Sequence, residues 1–212
     1  MARQATSPGS VNAPNGLKSG RSRERILDAA AKVLSRKGYA GTRLGDIAEE
    51  AEMQAPAIYY YFNSREQLIE EVMWVGLARM REHLTATLEA LPPETKPMER
   101  ILAAVEAHLR YELTISDYTT ASIRNAGQLP EHIRARQIEE ESKYGIIWRD
   151  LFNDAKNAGQ LQPDLDPYLA RMLVMGALNW AAEWWTPRSG SMSDVVTTAQ
   201  AFIRSGLENP QR

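Results

Sequence analysis

The apolar residues of this chain return every third or fourth position almost from end to end, and nowhere do they alternate. Such spacing suits helices of 3.6 residues per turn and excludes half-buried strands, whose side chains change face at every step. Val, Ile and Thr gather into no alternating run, and no hairpin dipeptide is flanked by strand signals. An all-α fold is expected. Residues 22–37 place Ile26, Ala30, Val33 and Leu34 on one face and stop at Gly38. Thr42 is the expected cap of a short helix burying Leu44, Ile47, Ala48 and Ala51. A turn at Glu52-Met53 leads to a second short helix, with Pro56 in its first turn. The capping box Ser64–Gln67 starts a long helix to about Leu88, and "LPPETKP" ends that region. Helices are expected at roughly 97–116, 118–126 and 131–158, the last closed by Gly159. Asp166 and Pro167 open another to about Trp185, and a final one covers 193–207.

Charge divides the chain. Residues 1–43 carry nine Lys/Arg against Glu24 and Asp28, whereas the rest carries 16 basic and 25 acidic side chains. A basic front on an acidic body points to an anionic partner, either nucleic acid or a membrane surface. No run of 18 apolar residues exists to span a membrane. The first twenty residues lack the apolar stretch of a secretory signal and read as a disordered basic arm. Cysteine is absent, which excludes thiol chemistry and fits a reducing cytoplasm. His83, His108 and His132 show no metal-ligand spacing, and no phosphate loop, dinucleotide fingerprint or nucleophile elbow occurs. No cofactor, metal or enzymatic activity is therefore expected. The alternatives are a helical enzyme with a lipid-like ligand and a helical interaction protein that binds no DNA.

Two short helices behind a longer one form a candidate helix-turn-helix DNA reader. On its second helix Ile58 and Phe62 lie four apart and both face the core. Tyr61 is then half-buried, while Tyr59 and Tyr60 turn outward with Gln54 and Ala55. A tyrosine hydroxyl can donate to phosphate, and its ring can touch sugar or a thymine methyl.

The stretch "TRLGDIAEEAEMQAPAIYYYFNSREQLIEEV", Thr42 to Val72, resembles the N-terminal signature of the TetR family of bacterial repressors. Asp46-Ile47-Ala48, Ala51, Ile58-Tyr59, Phe62 and Ser64-Arg65-x-x-Leu68 carry the likeness. Glu52 stands where the family has glycine, Gln54 where it has serine, and Tyr61 where histidine is frequent. The resemblance implies a DNA surface of Thr42, Gln54, Ala55, Tyr59, Tyr60, Tyr61 and Arg65, with Thr42 and Arg65 on phosphates at helix N-termini. Arg43 joins that surface, and Lys18, Arg21 and Arg23 would follow the backbone or enter a minor groove. The implied organisation is an arm over 1–20, a helix-turn-helix head over 21–66, and a ligand-binding and dimerisation body over 67–212. It also implies a cytoplasmic homodimer on a palindromic operator of double-stranded DNA.

The helix Tyr168 to Trp185 is apolar nearly all round, so it needs cover on several sides, one of them from a second subunit. Tyr111, Tyr144, Trp148, Phe152, Met175, Trp180 and Trp184 could line an apolar ligand site, with Arg124, Asn125 or Asn179 orienting a polar end. Residues 144–190 resemble a TetR subgroup that governs fatty-acid or steroid breakdown and answers to acyl-CoA thioesters. The likeness rests on Gly-x-Leu-x-x-Asp-Leu-Asp from Gly159 and Asn-Trp-x-x-x-Trp from Asn179. It implies release by a small apolar or acyl-CoA-like effector, with Arg110, Arg149 and Arg171 as candidates for its charged portion.

Overall fold

The computed structural model describes residues 13–115, 117–125 and 127–209. Among these, nine α-helices run as α1 (Ala13–Gly41), α2 (Leu44–Glu50), α3 (Ala55–Ile58), α4 (Arg65–Glu89), α5 (Pro97–Arg110), α6 (Asp117–Asn125), α7 (Glu131–Asn157), α8 (Pro167–Trp184) and α9 (Met192–Leu207). The all-α expectation holds. An isolated bridge between Leu161 and Glu208 ties the end of α9 to the loop after α7.

Most boundaries follow from local chemistry. Ser64, Asp166 and Ser191 each accept a backbone N–H from the first turn of the helix they cap. Gly159 closes α7 with a φ of 67°, a left-handed conformation that glycine adopts at least cost. Four boundaries differ from expectation. Helix α1 reaches back to Ala13, inside the span expected to be a disordered arm, and residues 1–12 lie outside the described residues. Thr42 does not cap α2; Arg43 takes that position, and the Thr42 hydroxyl donates back to the Gly38 carbonyl at 2.7 Å. Helix α3 has only four residues, and the tyrosines continue it as a tight turn, Tyr61 N–H donating to Ile58 at 2.9 Å. The long helix expected over 97–116 ends at Arg110 and gives way to a π-helical turn, Tyr111–Ile115. The wider turn keeps the consecutive residues Tyr111 and Glu112 both buried.

Packing forms two cores. The first gathers Ile26, Leu34, Ile47, Ile58, Phe62 and Leu68 from α1–α4, and it is completed by Tyr118, Ala121 and Leu129 from α6 and the loop after it. The second joins the far half of α4 to α5, α7, α8 and α9 around Leu84, Ile101, Trp148 and Phe152. Helix α6 therefore belongs to the body by sequence and to the head by packing. Gly76 on α4 makes this possible. A Cβ there would lie 3.1 Å from both Cβ and the carbonyl oxygen of Tyr118, and 3.2 Å from Ser122 Oγ. Gly76→Val is expected to force α6 off α4 and cost at least about 2 kcal/mol, read as a melting temperature lower by roughly 4–8 °C.

Candidate functional site

The turn and α3 carry the most exposed aromatics of the head. Ile58 and Phe62 are buried, whereas Tyr59 is 57% and Tyr60 82% exposed. Tyr61 packs partly against the head core and meets the Tyr60 ring edge-on at 5.1 Å. Gln54 lies exposed at the N-cap of α3 with no side-chain capping bond, and Ala55 beside it is half-buried. Glu52 supports this geometry with a φ of 52°, the left-handed turn position at which glycine would be unstrained.

The basic surplus of the head is partly spent on internal ion pairs. Lys37 meets Asp46 at 3.0 Å, and Lys32 and Arg36 both meet Glu50, clamping α2 to α1. The lysine beside each acid holds the Asp46 and Glu50 carboxyls below their ordinary range. Arg23 pairs with Glu71 at 2.9 Å and lies over the Phe62 ring. Arg21 and Arg43 are exposed, with no ion pair among the described residues. The side chain of Lys18 lies outside the described residues. Thr42 and Arg65 are corrected. Thr42 is only 1% exposed, turned inward by its bond to Gly38, so its hydroxyl cannot meet a phosphate. Arg65 donates from Nε to the Thr42 carbonyl at 2.6 Å and from a terminal nitrogen to the Tyr39 carbonyl, with its guanidinium 4.5 Å over the Tyr39 ring. Those bonds lock the α1–α2 turn onto α4 and leave the guanidinium largely committed.

In the body, a cavity of about 410 Å³ opens between α4, α5, α6, α7 and α8, within the range of small-molecule sites. Leu77, Met80, Met172 and Met175 supply apolar wall; Gln137, Tyr144, Arg171 and Asn179 supply polar atoms. His108 from α5, Thr119 and Ser122 from α6, and Glu141 and Gly145 from α7 complete it. Two of its lining residues lead to a buried carboxyl group. His108 Nδ1 and the Tyr144 hydroxyl share a hydrogen bond of 2.8 Å, and His108 Nε2 lies 3.0 Å from Glu112. Burial raises the Glu112 carboxyl above its ordinary range, against a smaller opposing pull from His108.

Comparison with known proteins now decides the family. The family description "Bacterial regulatory proteins, tetR family" matches residues 26–72, and "Tetracyclin repressor-like, C-terminal domain" matches residues 94–206. The chain belongs to the TetR family. Its members are DNA-binding transcriptional regulators, not enzymes. Similar proteins include the HTH-type transcriptional repressor KstR2 of Mycobacterium tuberculosis (strain ATCC 25618 / H37Rv), 26% identical over 78% of this chain and 82% of the relative. The Fatty acid metabolism regulator protein of Bacillus subtilis (strain 168) is 23% identical over 87% of this chain and 95% of its own. Among solved structures, AibR in complex with isovaleryl coenzyme A and operator DNA superposes with a TM-score of 0.76 at 21% identity, over 86% of this chain and 96% of that one.

Within this TetR chain, three of the ten residues expected at the ligand site line the cavity: Tyr144, Met175 and Asn179. The others are corrected. Tyr111, Trp148 and Phe152 are buried in the body core, too large and too apolar to be spared from it. Asn125 is wholly buried but serves the joint with α1, accepting the Tyr39 N–H at 2.7 Å. Arg124 is exposed and pairs with Glu183 at 3.2 Å. Trp180, 65% exposed, lies outside this cavity, and Trp184 lines instead a second, mostly apolar cavity of about 400 Å³ between α8 and α9, with Phe202 on its α9 side; Leu169 and Leu173 of α8 are exposed as well. Gly176 sits on the same stripe with open space above it. Arg110 and Arg149 pair with the neighbouring Glu106 and Asp150, leaving Arg171 as the one of the three that reaches the cavity. Sequence reasoning missed His108, Gln137 and the α6 residues. The only available signal was polar residues on otherwise apolar helix faces, which does not distinguish a cavity wall from surface.

The Glu112 carboxyl yields a pH prediction. A raised folded-state value means its favourable contribution is complete below the unfolded value and is lost as pH rises through the folded one. Glu112→Gln should thus raise the melting temperature at pH 8 and change it little near pH 4, as followed by differential scanning fluorimetry across that range.

Proposed function

We propose that this chain is a homodimeric repressor that holds a palindromic operator through the turn from Gln54 to Tyr61 and lets go when an effector fills the α4–α8 cavity. The observation that carries the reading is the split of neighbouring aromatics, with Ile58 and Phe62 inside and Tyr59 and Tyr60 outside, on a TetR helix-turn-helix. Arg21 and Arg43 extend that surface with exposed positive charge, suited to phosphates. Tyr59→Ala combined with Tyr60→Ala should weaken operator binding by roughly tenfold or more and leave the melting temperature unchanged, because both rings are exposed. Fluorescence anisotropy at fixed salt, on DNA from upstream of this chain's own gene, reads the affinity; an unaltered affinity refutes the assignment.

A dimer is supported by the outer face of α8 and α9. Leu169, Leu173 and Trp180 of α8 and Phe202 of α9 are large apolar side chains left exposed, which a second protomer would cover, and Gly176 gives its helix room to approach. Two heads fixed through that face would present recognition elements one helical turn of DNA apart, about 34–36 Å.

An acyl-CoA-type effector is supported by relatives whose solved structures hold isovaleryl coenzyme A and stearoyl-CoA. Release requires a path from cavity to head, and α6 supplies one. It contributes Thr119 and Ser122 to the cavity and three side chains to α1. Asp117 accepts from Ser35 at 2.9 Å, Tyr118 donates to Asp28 at 2.7 Å, and Asn125 accepts from Tyr39. An effector that displaces α6 drags the end of α1 and, through Arg65, the α2–α3 unit. Ser35→Ala with Tyr118→Phe should leave operator affinity near its original value and raise the effector concentration for half-release by about fivefold, a coupling loss near 1 kcal/mol. The check is a release titration on both proteins.

A further inference from the structure

The wall of the cavity holds hydrogen-bonding atoms that the protein leaves unanswered. Gln137 on α7 is 1% exposed, and its Nε2 donates to Glu141 Oε1 at 2.7 Å. A carboxylate only accepts, so this bond fixes the amide with nitrogen toward Glu141 and oxygen away from it. Gln137 Oε1 is buried and accepts no hydrogen bond. On α8, Arg171 gives one terminal N–H to the Gly145 carbonyl at 3.1 Å, while its Nε–H is buried without a partner. No carboxylate among the described residues pairs with that guanidinium. One wall thus lacks a donor and the other an acceptor.

Both atoms are already shut off from solvent and unpaired, and a hydrocarbon chain filling the cavity would leave that cost in place. A site built around hydrogen-bonding groups discriminates strongly against an analogue that lacks the matching group. We propose that the part of the effector that enters the cavity carries a hydroxyl, donated to Gln137 Oε1, and a carbonyl or carboxylate oxygen that accepts from Arg171. The effector class is then hydroxylated acids or their thioesters rather than plain saturated acyl chains. This rests on the reading of the cavity as the effector site.

The test uses the full chain bound to its operator, titrated with matched pairs of saturated and hydroxylated fatty acids of medium and long chain. Each compound is supplied as the free acid and as the CoA thioester, and release is followed by anisotropy. At least one hydroxylated compound should release the DNA at a concentration tenfold or more below its saturated partner. Gln137→Leu should abolish that preference with operator affinity unchanged. Gln137→Met serves if the leucine variant fails to fold, as judged by circular dichroism. Arg171→Gln should raise the releasing concentration of both members of a pair. Equal potency within every pair overturns this inference and leaves an effector-released repressor standing. A preference that survives Gln137→Leu and Gln137→Met also overturns it. Release by none of the compounds overturns both this inference and the acyl effector class. The two forms of each compound show whether the acid or the thioester is the source of the accepting oxygen.

Discussion

Helix α6 lies so close on α4 that a single methyl at Gly76 would come within 3.1 Å of Tyr118, and from there it reaches the second half of α1 through three side chains. This contact is the joint of the molecule. It closes the head core with Tyr118 and Ala121 while its other side lends Thr119 and Ser122 to the cavity. One element thus touches both the cavity and the head, and packed cores tend to shift between discrete arrangements, which is the physical basis of the proposed release. The burial of Tyr118 and its bond to Asp28 both push its hydroxyl further from ionisation, so it stays a hydrogen-bond donor.

Around that joint the charged residues have been given mechanical work. Arg65 holds two carbonyls of the α1–α2 turn, and Glu50 gathers Lys32 and Arg36. These contacts set the angle at which α2 and the tyrosine turn are presented. They also draw on the positive charge of the head, so among the described residues its surface combines a few arginines outside ion pairs with two exposed rings. Such a surface would lean on contact geometry more than on counterion release.

Much of the fold was legible in the sequence because its signals are local. Gly159, Asp166 with Pro167, and Ser64 act within one helical turn, and the alternation of core and surface around Ile58 and Phe62 follows from helix geometry alone. Thr42 and Arg65 were misread for the opposite reason. Each sits at a helix start, where an anion contact is the expected use, yet each is occupied by carbonyls of the α1–α2 turn that the sequence does not place nearby. The aromatic residues of the body divided in the same way. Trp148 and Trp180 are the same residue type on two helices, but one is wholly buried and the other exposed, because Trp148 lies on the face of α7 that packs into the body core and Trp180 on a stripe of α8 that does not.

The sequence by itself determined the all-helical architecture, the core-facing side of the head helices α1 to α3, the family and the pair of tyrosines turned away from the head core, since all of these depend on spacing along one chain. Tertiary structure alone decided that α6 completes the head core, that the cavity is walled by His108, Gln137 and Arg171, and that Trp184 lies outside it. Those outcomes depend on which helices meet and how closely, and a close approach such as Gly76 against Tyr118 is a relation between distant residues that no local pattern encodes.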